Sequence, residues 1–110
     1  MADLTQVAGV RDELDSITLV DCRESYEWVA GHIEGAIHIP VNAIMSGAGS
    51  DLPKDKPVAV ICRTGNRSEL GAMMLQARGY EATNVEGGME AWAAAGYPYV
   101  SDDGSPPRVA

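Results

Sequence analysis

Four short runs rich in β-branched or small apolar residues recur along the chain, ITLVDC at 17–22, AIHI at 36–39, PVAVI at 57–61 and, more weakly, ATNV at 82–85. ITLVDC and PVAVI are nearly continuous in apolar residues, which is how a strand buried on both faces reads. Helical patterns alternate with these runs, and that alternation implies parallel pairing with helices on both sides. The predicted fold class is therefore α/β, an open parallel β-sheet flanked by helices on both faces in a three-layer sandwich. Ligands collect at the carboxyl ends of the strands in such a fold. This chain carries Asp21, Cys22, Arg23 and the loop Cys62 to Arg67 there.

Between the strands, Asp3 or Thr5 is expected to cap a first helix whose apolar residues Leu4, Val7, Val10 and Leu14 recur at helical spacing. Ser25 is expected to cap a short helix, SYEWVAG, which Gly31 closes in the left-handed conformation. The stretch AIMSGAGSD at 43–51 dissolves into Gly and Ser and is predicted to be a flexible loop. Leu70, Met73, Met74 and Ala77 mark a helix closed by Gly79, with the two methionines assigned to the core. After Gly87 and Gly88, MEAWAAAG forms the last helix, and Trp28 and Trp92 read as packing residues. Glu24, Glu27, Glu81, Glu86 and Glu90 read as solvated faces, an acidic rim that suits a basic protein partner. The expected organisation is one domain over 1–100 and a frayed, proline-containing tail over 101–110.

A chain of 110 residues with 45% hydrophobic content supports one compact core and leaves no room for a second domain. Its net charge of −8 excludes a general nucleic-acid or anionic-membrane surface, both of which need clustered Lys and Arg. No segment approaches the roughly 20 apolar residues that span a bilayer, and the first residues carry no basic n-region. A cytoplasmic location with reduced thiols is the expectation, because two cysteines are too few for a disulfide scaffold. Cys22, Cys62, His32 and His38 form no close pair with ligand spacing, so neither a metal nor a cofactor is expected. His32 is expected to bond backbone rather than to act as an acid or base.

Cys62 leaves a buried strand and enters CRTGNR, which delivers the chain into a helix near Ser68. Unpaired amides and the helix dipole make that position electropositive, and Arg63 and Arg67 add full charges if they face the sulfur. Gly65 permits positive φ, so that successive N–H groups form an anion nest, and Thr64 can offer a hydroxyl. With Asn66 and Ser68 completing the loop, the thiol pKa should fall and Cys62 should be a nucleophile without a histidine base. Cys22 has one neighbouring arginine and no glycine loop, and reads as an inert small hydrophobe.

Three blocks, LVDCRESYEWVAGHIEGAIHIP at 19–40, ICRTGNRS at 61–68 and GGMEAW at 87–92, closely resemble the single-domain rhodaneses, or thiosulfate sulfurtransferase-like domains. The resemblance spans nearly the whole chain and implies that Cys62 is the catalytic cysteine and that Cys62 to Arg67 is the active-site loop. It also implies that Asp21 and Arg23 are a charged pair beside that loop and that Trp92 is a packing residue. The implied activity moves a sulfane sulfur from a small anionic donor such as thiosulfate to cyanide, a thiol or a protein thiol, through a Cys62 persulfide. Two alternatives accompany it: a persulfide carrier or redox relay docking with a protein partner, and an enzyme like the phosphatases and arsenate reductases. Four residues, Arg63 to Asn66, separate Cys62 from Arg67. The phosphatase-like relatives have a longer loop there, so the shorter ring should fit one sulfur and crowd a phosphoryl group. Cys22 stands where such domains more often carry an aliphatic residue. A resolving role for it is not expected, because a neighbour on an adjacent strand often turns its side chain to the other face.

Overall fold

The computed structural model describes residues 2–110. Helix α1 (Val7–Asp12) and a 3-10 turn (Leu14–Ser16) lead into strand β1 (Thr18–Asp21), followed by helix α2 (Ser25–Ala30) and strand β2 (Ile37–His38). Helix α3 (Val41–Met45), strand β3 (Val58–Ile61), helix α4 (Asn66–Ala77), strand β4 (Ala82–Asn84) and helix α5 (Gly88–Ala94) complete the order. The four strands form one parallel sheet in the order β2-β1-β3-β4. After β1 the chain moves outward to β2, then returns to the far side of β1 for β3. The order therefore reverses between β1 and β3, and the crevice at their carboxyl ends is the topological switch point of the sheet.

Alternate residues of the central strands feed two separate cores, as the period of two requires. Val20, Val58 and Val60 pack with Val41 and Ile44 of α3 and Ala72 and Leu75 of α4. Leu19, Ala59 and Ile61 face the other way, toward Val10 of α1 and Met89 and Trp92 of α5. The three expected layers are present. Trp92 is fully buried, and its indole N–H donates to the Pro98 carbonyl at 3.0 Å.

Several local expectations are corrected. Asp3 does not cap α1; its carboxylate accepts from the Thr5 amide and hydroxyl, and α1 begins after Gln6. Helix α2 begins after Glu24, whose amide donates to the Glu27 carboxylate at 3.0 Å, so the glutamate pair, and not Ser25, starts it. Gly31 is extended, with φ 179, rather than left-handed. It must be glycine for space, since a Cβ would lie 2.4 Å from the Arg108 carbonyl oxygen and 2.8 Å from the Tyr99 ring.

The tail expected to fray lies along α2: Val100 and His32 form an antiparallel bridge, the Arg108 amide donates to the Ala30 carbonyl, and Val109 packs on the core. The segment after α3 is pinned rather than loose. Arg78 donates to the Ile44 and Ala48 carbonyls, and the Tyr80 hydroxyl donates to the Leu52 carbonyl. In α4 the buried face consists of Ser68, Gly71, Ala72 and Leu75. Leu70 and Met73 point outward, 45% and 58% exposed, so Met73 is not a core residue.

Candidate active site

Cys62 follows the last residue of β3 and lies at the switch point, 1% exposed. The backbone curls around its sulfur. Gly65 takes φ +106, a left-handed conformation that glycine adopts without steric cost, and its amide donates to Cys62 Sγ at 3.1 Å. The Ser68 hydroxyl, in the first turn of α4, lies 3.2 Å from the same sulfur.

The loop can turn its amides inward because its carbonyls are held outward. The Met89 and Glu90 amides at the start of α5 donate to the Cys62 and Arg63 carbonyls at 2.8 and 3.0 Å. That docking requires glycine at 88, where a Cβ would sit 2.3 Å from the Cys62 oxygen. Asn84, at the end of β4, completes the frame. Its amide nitrogen donates to the Gly65 carbonyl at 3.1 Å, and its amide oxygen accepts from the Ser68 hydroxyl at 2.5 Å. Ser68 has one proton to donate, so it shares that proton between the sulfur and Asn84.

Cys22 lies beside Cys62 on the neighbouring strand. Residues 18 to 21 of β1 pair in order with 58 to 61 of β3, and the Cys22 amide continues the ladder by donating to the Ile61 carbonyl at 3.0 Å. Matched register on parallel strands puts both side chains on one face, and Cys22 and Cys62 share the core beneath α3 and α4. The expectation that the two sulfurs point to opposite faces is thereby corrected. The neighbouring Cys22 thiol, the Ser68 hydroxyl and amide, and the Gly65 amide outweigh the cost of burial and lower the Cys62 pKa to about 4. The same contact, with burial added, pushes the Cys22 thiol up.

The other loop residues are placed differently from expectation. Both Arg67 guanidinium nitrogens donate to Glu27, at 2.6 and 2.8 Å. The Glu27 side chain is 2% exposed and is not a solvated face, and Arg67 holds its carboxyl below the usual carboxylate range. Arg63 donates to Glu90 at 2.9 Å on the surface. Neither arginine is bonded to the sulfur, so peptide dipoles, a hydroxyl and a thiol build the cradle, although the Arg67 charge is felt by both cysteines. Thr64 and Asn66 are exposed, and among the described residues Thr64 gives the sulfur no hydroxyl hydrogen bond.

Asp21 and Arg23 form a fully buried bidentate pair, with contacts of 2.7 and 2.9 Å, and Arg23 also donates to the Gly31 carbonyl at 2.6 Å. They tie the end of α2 to β1. The histidines serve structure, as expected for His32. The His32 Nδ1 donates to the Trp28 carbonyl and the ring stacks on Trp28, while His38 Nε2 donates to the Arg23 carbonyl.

A parallel sheet between two helical layers, with an amide-cradled cysteine at the end of a central strand, defines an α/β protein of the three-layer class. Residues 6–95 match the family model described as Rhodanese-like domain, and the chain belongs to that family. It is 39% identical over 89 residues to MoeZ, a probable adenylyltransferase/sulfurtransferase of Mycobacterium tuberculosis, covering 76% of this chain and 23% of that much longer protein. A sulfurtransferase of Allochromatium vinosum is 36% identical over 93 residues, which cover 84% of this chain and 86% of that protein. The crystal structure of a rhodanese-related protein from Thermoplasma volcanium superposes with a TM-score of 0.80 at 35% identity, covering 86% of this chain and 94% of that one. Among the described residues no helix is long and apolar enough to cross a membrane.

Proposed function

We propose that this protein is a sulfurtransferase that carries a sulfane sulfur as a persulfide on Cys62. The observation that carries this reading is the convergence of the Gly65 amide and the Ser68 hydroxyl on one sulfur at the end of a buried strand, which favours its anionic form. With four residues between Cys62 and Arg67 the ring is short, which suits one added sulfur atom better than a bulkier tetrahedral group. Family membership and relatives named sulfurtransferases point the same way.

In the first step the Cys62 thiolate attacks the outer sulfur of a donor such as thiosulfate. A bond forms between Sγ and that sulfur, the donor's S–S bond breaks, and its electron pair leaves on sulfite. The loop amides then face a persulfide anion in place of a thiolate, so the same donors serve both states. In the second step a thiophilic acceptor, cyanide in an assay or a small or protein thiol in the cell, attacks the outer sulfur and regenerates the thiolate. Arg63 is the residue suited to meet an anionic donor, because its surface pair with Glu90 is weak and exchangeable, whereas Arg67 is committed to Glu27. The cytoplasm, where thiols stay reduced, suits this chemistry.

The test is intact-mass analysis after mixing with thiosulfate. The protein should gain one sulfur atom, lose it on addition of cyanide with release of thiocyanate, and show ping-pong kinetics. Cys62→Ser should take up no sulfur and turn over no substrate while keeping its circular dichroism spectrum. Retained activity in that variant would refute the assignment. A protein that loads sulfur but passes it only to a protein partner would be a carrier.

A further inference from the structure

Sulfur transfer makes and breaks bonds at only one of the two thiols at the switch point and leaves the Cys22 sulfur unreacted. We propose that Cys22 is a resolving thiol, converting the Cys62 persulfide into an intramolecular disulfide and releasing hydrosulfide, so that the protein has a second way to unload sulfur without an external acceptor. This rests on the persulfide reading above.

The packing of the two strands supports it. The ladder places Cys22 directly beside Cys62 on the neighbouring strand, and both side chains face the same core. Adjacent strands run about 4.8 Å apart, inside the Cα separation of roughly 4.4–6.8 Å that a disulfide accepts. Both side chains belong to one buried cluster, each 1% exposed. Helix α4 lies directly against Cys22 at Gly71, where a Cβ would stand in ordinary contact 3.9 Å from Cys22 Sγ. The equivalent inward positions of the two strands, Val20, Val58 and Val60, are aliphatic.

The step needs no outside base. The Cys22 thiol brings its own proton; once Sγ carries a second sulfur, the negative charge moves to the outer atom. Cys22 sulfur then bonds to Sγ, the Sγ–S bond breaks with its electron pair on the outer sulfur, and the Cys22 proton goes to that sulfur, which departs as HS⁻. Persulfide and thiol become disulfide and hydrosulfide, with atoms and charge conserved. A dithiol reductant closes the cycle by returning two hydrogens.

To test this, the protein is loaded with thiosulfate, desalted without thiol or cyanide, and followed by intact mass and hydrosulfide release. The species one sulfur heavier should decay into one two hydrogens lighter than the reduced chain, with one hydrosulfide per chain and the peptides bearing Cys22 and Cys62 joined. The persulfides of Cys22→Ala and Cys22→Ser should outlive it by about tenfold or more, since an adjacent intramolecular thiol acts at high effective concentration. A wild-type persulfide as durable as those of the variants, or one that decays without the Cys22–Cys62 link, overturns the proposal. A parallel reaction of unloaded wild-type protein with cystamine separates this inference from the one beneath it. Formation of the internal disulfide with loss of both cysteamines supports Cys22 as resolver even if thiosulfate never loads Cys62, whereas a stable mixed disulfide on Cys62 counts against it.

Discussion

Ionisation of Cys62 rests on short-range donors, since both loop arginines are already paired with carboxylates. With a pKa of about 4 the sulfur is charged throughout the physiological range. The thiolate is the form that reacts, so the sign is direct: protonation removes the nucleophile as pH falls through that value. Alkylation by iodoacetamide should be fast and level above about pH 5 and fall below it, with no second rise near the ordinary thiol pKa of about 8.5. A rate that climbs through pH 8 to 9 would mean that the cradle leaves the sulfur an ordinary thiol. The same donors explain why no histidine is needed beside it. The two histidines give their ring N–H groups to the Trp28 and Arg23 carbonyls.

At the scale of elements, the start of α5 supports the loop from behind. Gly88→Ala would place a methyl 2.3 Å from the Cys62 carbonyl oxygen at a residue with φ +55, so α5 must back away and release that carbonyl. The expected cost is about 1–3 kcal/mol in a urea melt, together with a raised Cys62 pKa by thiolate absorbance. A variant with parent stability and parent pKa would show that α5 does not brace the loop. Much of this arrangement was legible in the residues. VAVI and TLVD read as buried strands because they are continuous and β-branched, and CRTGNRS read as a cradle because glycine and a helix start follow a cysteine at a strand end. What escaped depends on contacts distant in sequence. Gly31 is set by Tyr99 and Arg108, Glu27 is drawn inward by Arg67, and Asn84 reaches Ser68 from another strand. Helix α4 misled for a different reason: its large apolar residues Leu70 and Met73 are outside, and its packing face is made of small ones.

For the molecule as a whole, the reversal of strand order between β1 and β3 explains why the reactive residues gather at one crevice. The long-range field has the opposite sign to the local one. A net charge of −8 repels a dianionic donor, and the loop arginines are paired. Added salt screens that repulsion over a Debye length of about 10 Å at 0.1 M, so kcat/KM for thiosulfate should rise with ionic strength. A fall with salt would mean that the attraction of Arg63 for the donor outweighs the repulsion of the whole molecule. The braces described for Cys62 come from β4, α4 and α5 at once, so the reactive loop has no private hinge. On heating, catalytic competence should survive as long as the tertiary structure does and disappear in the same cooperative transition, with no earlier temperature at which a folded protein has already gone silent.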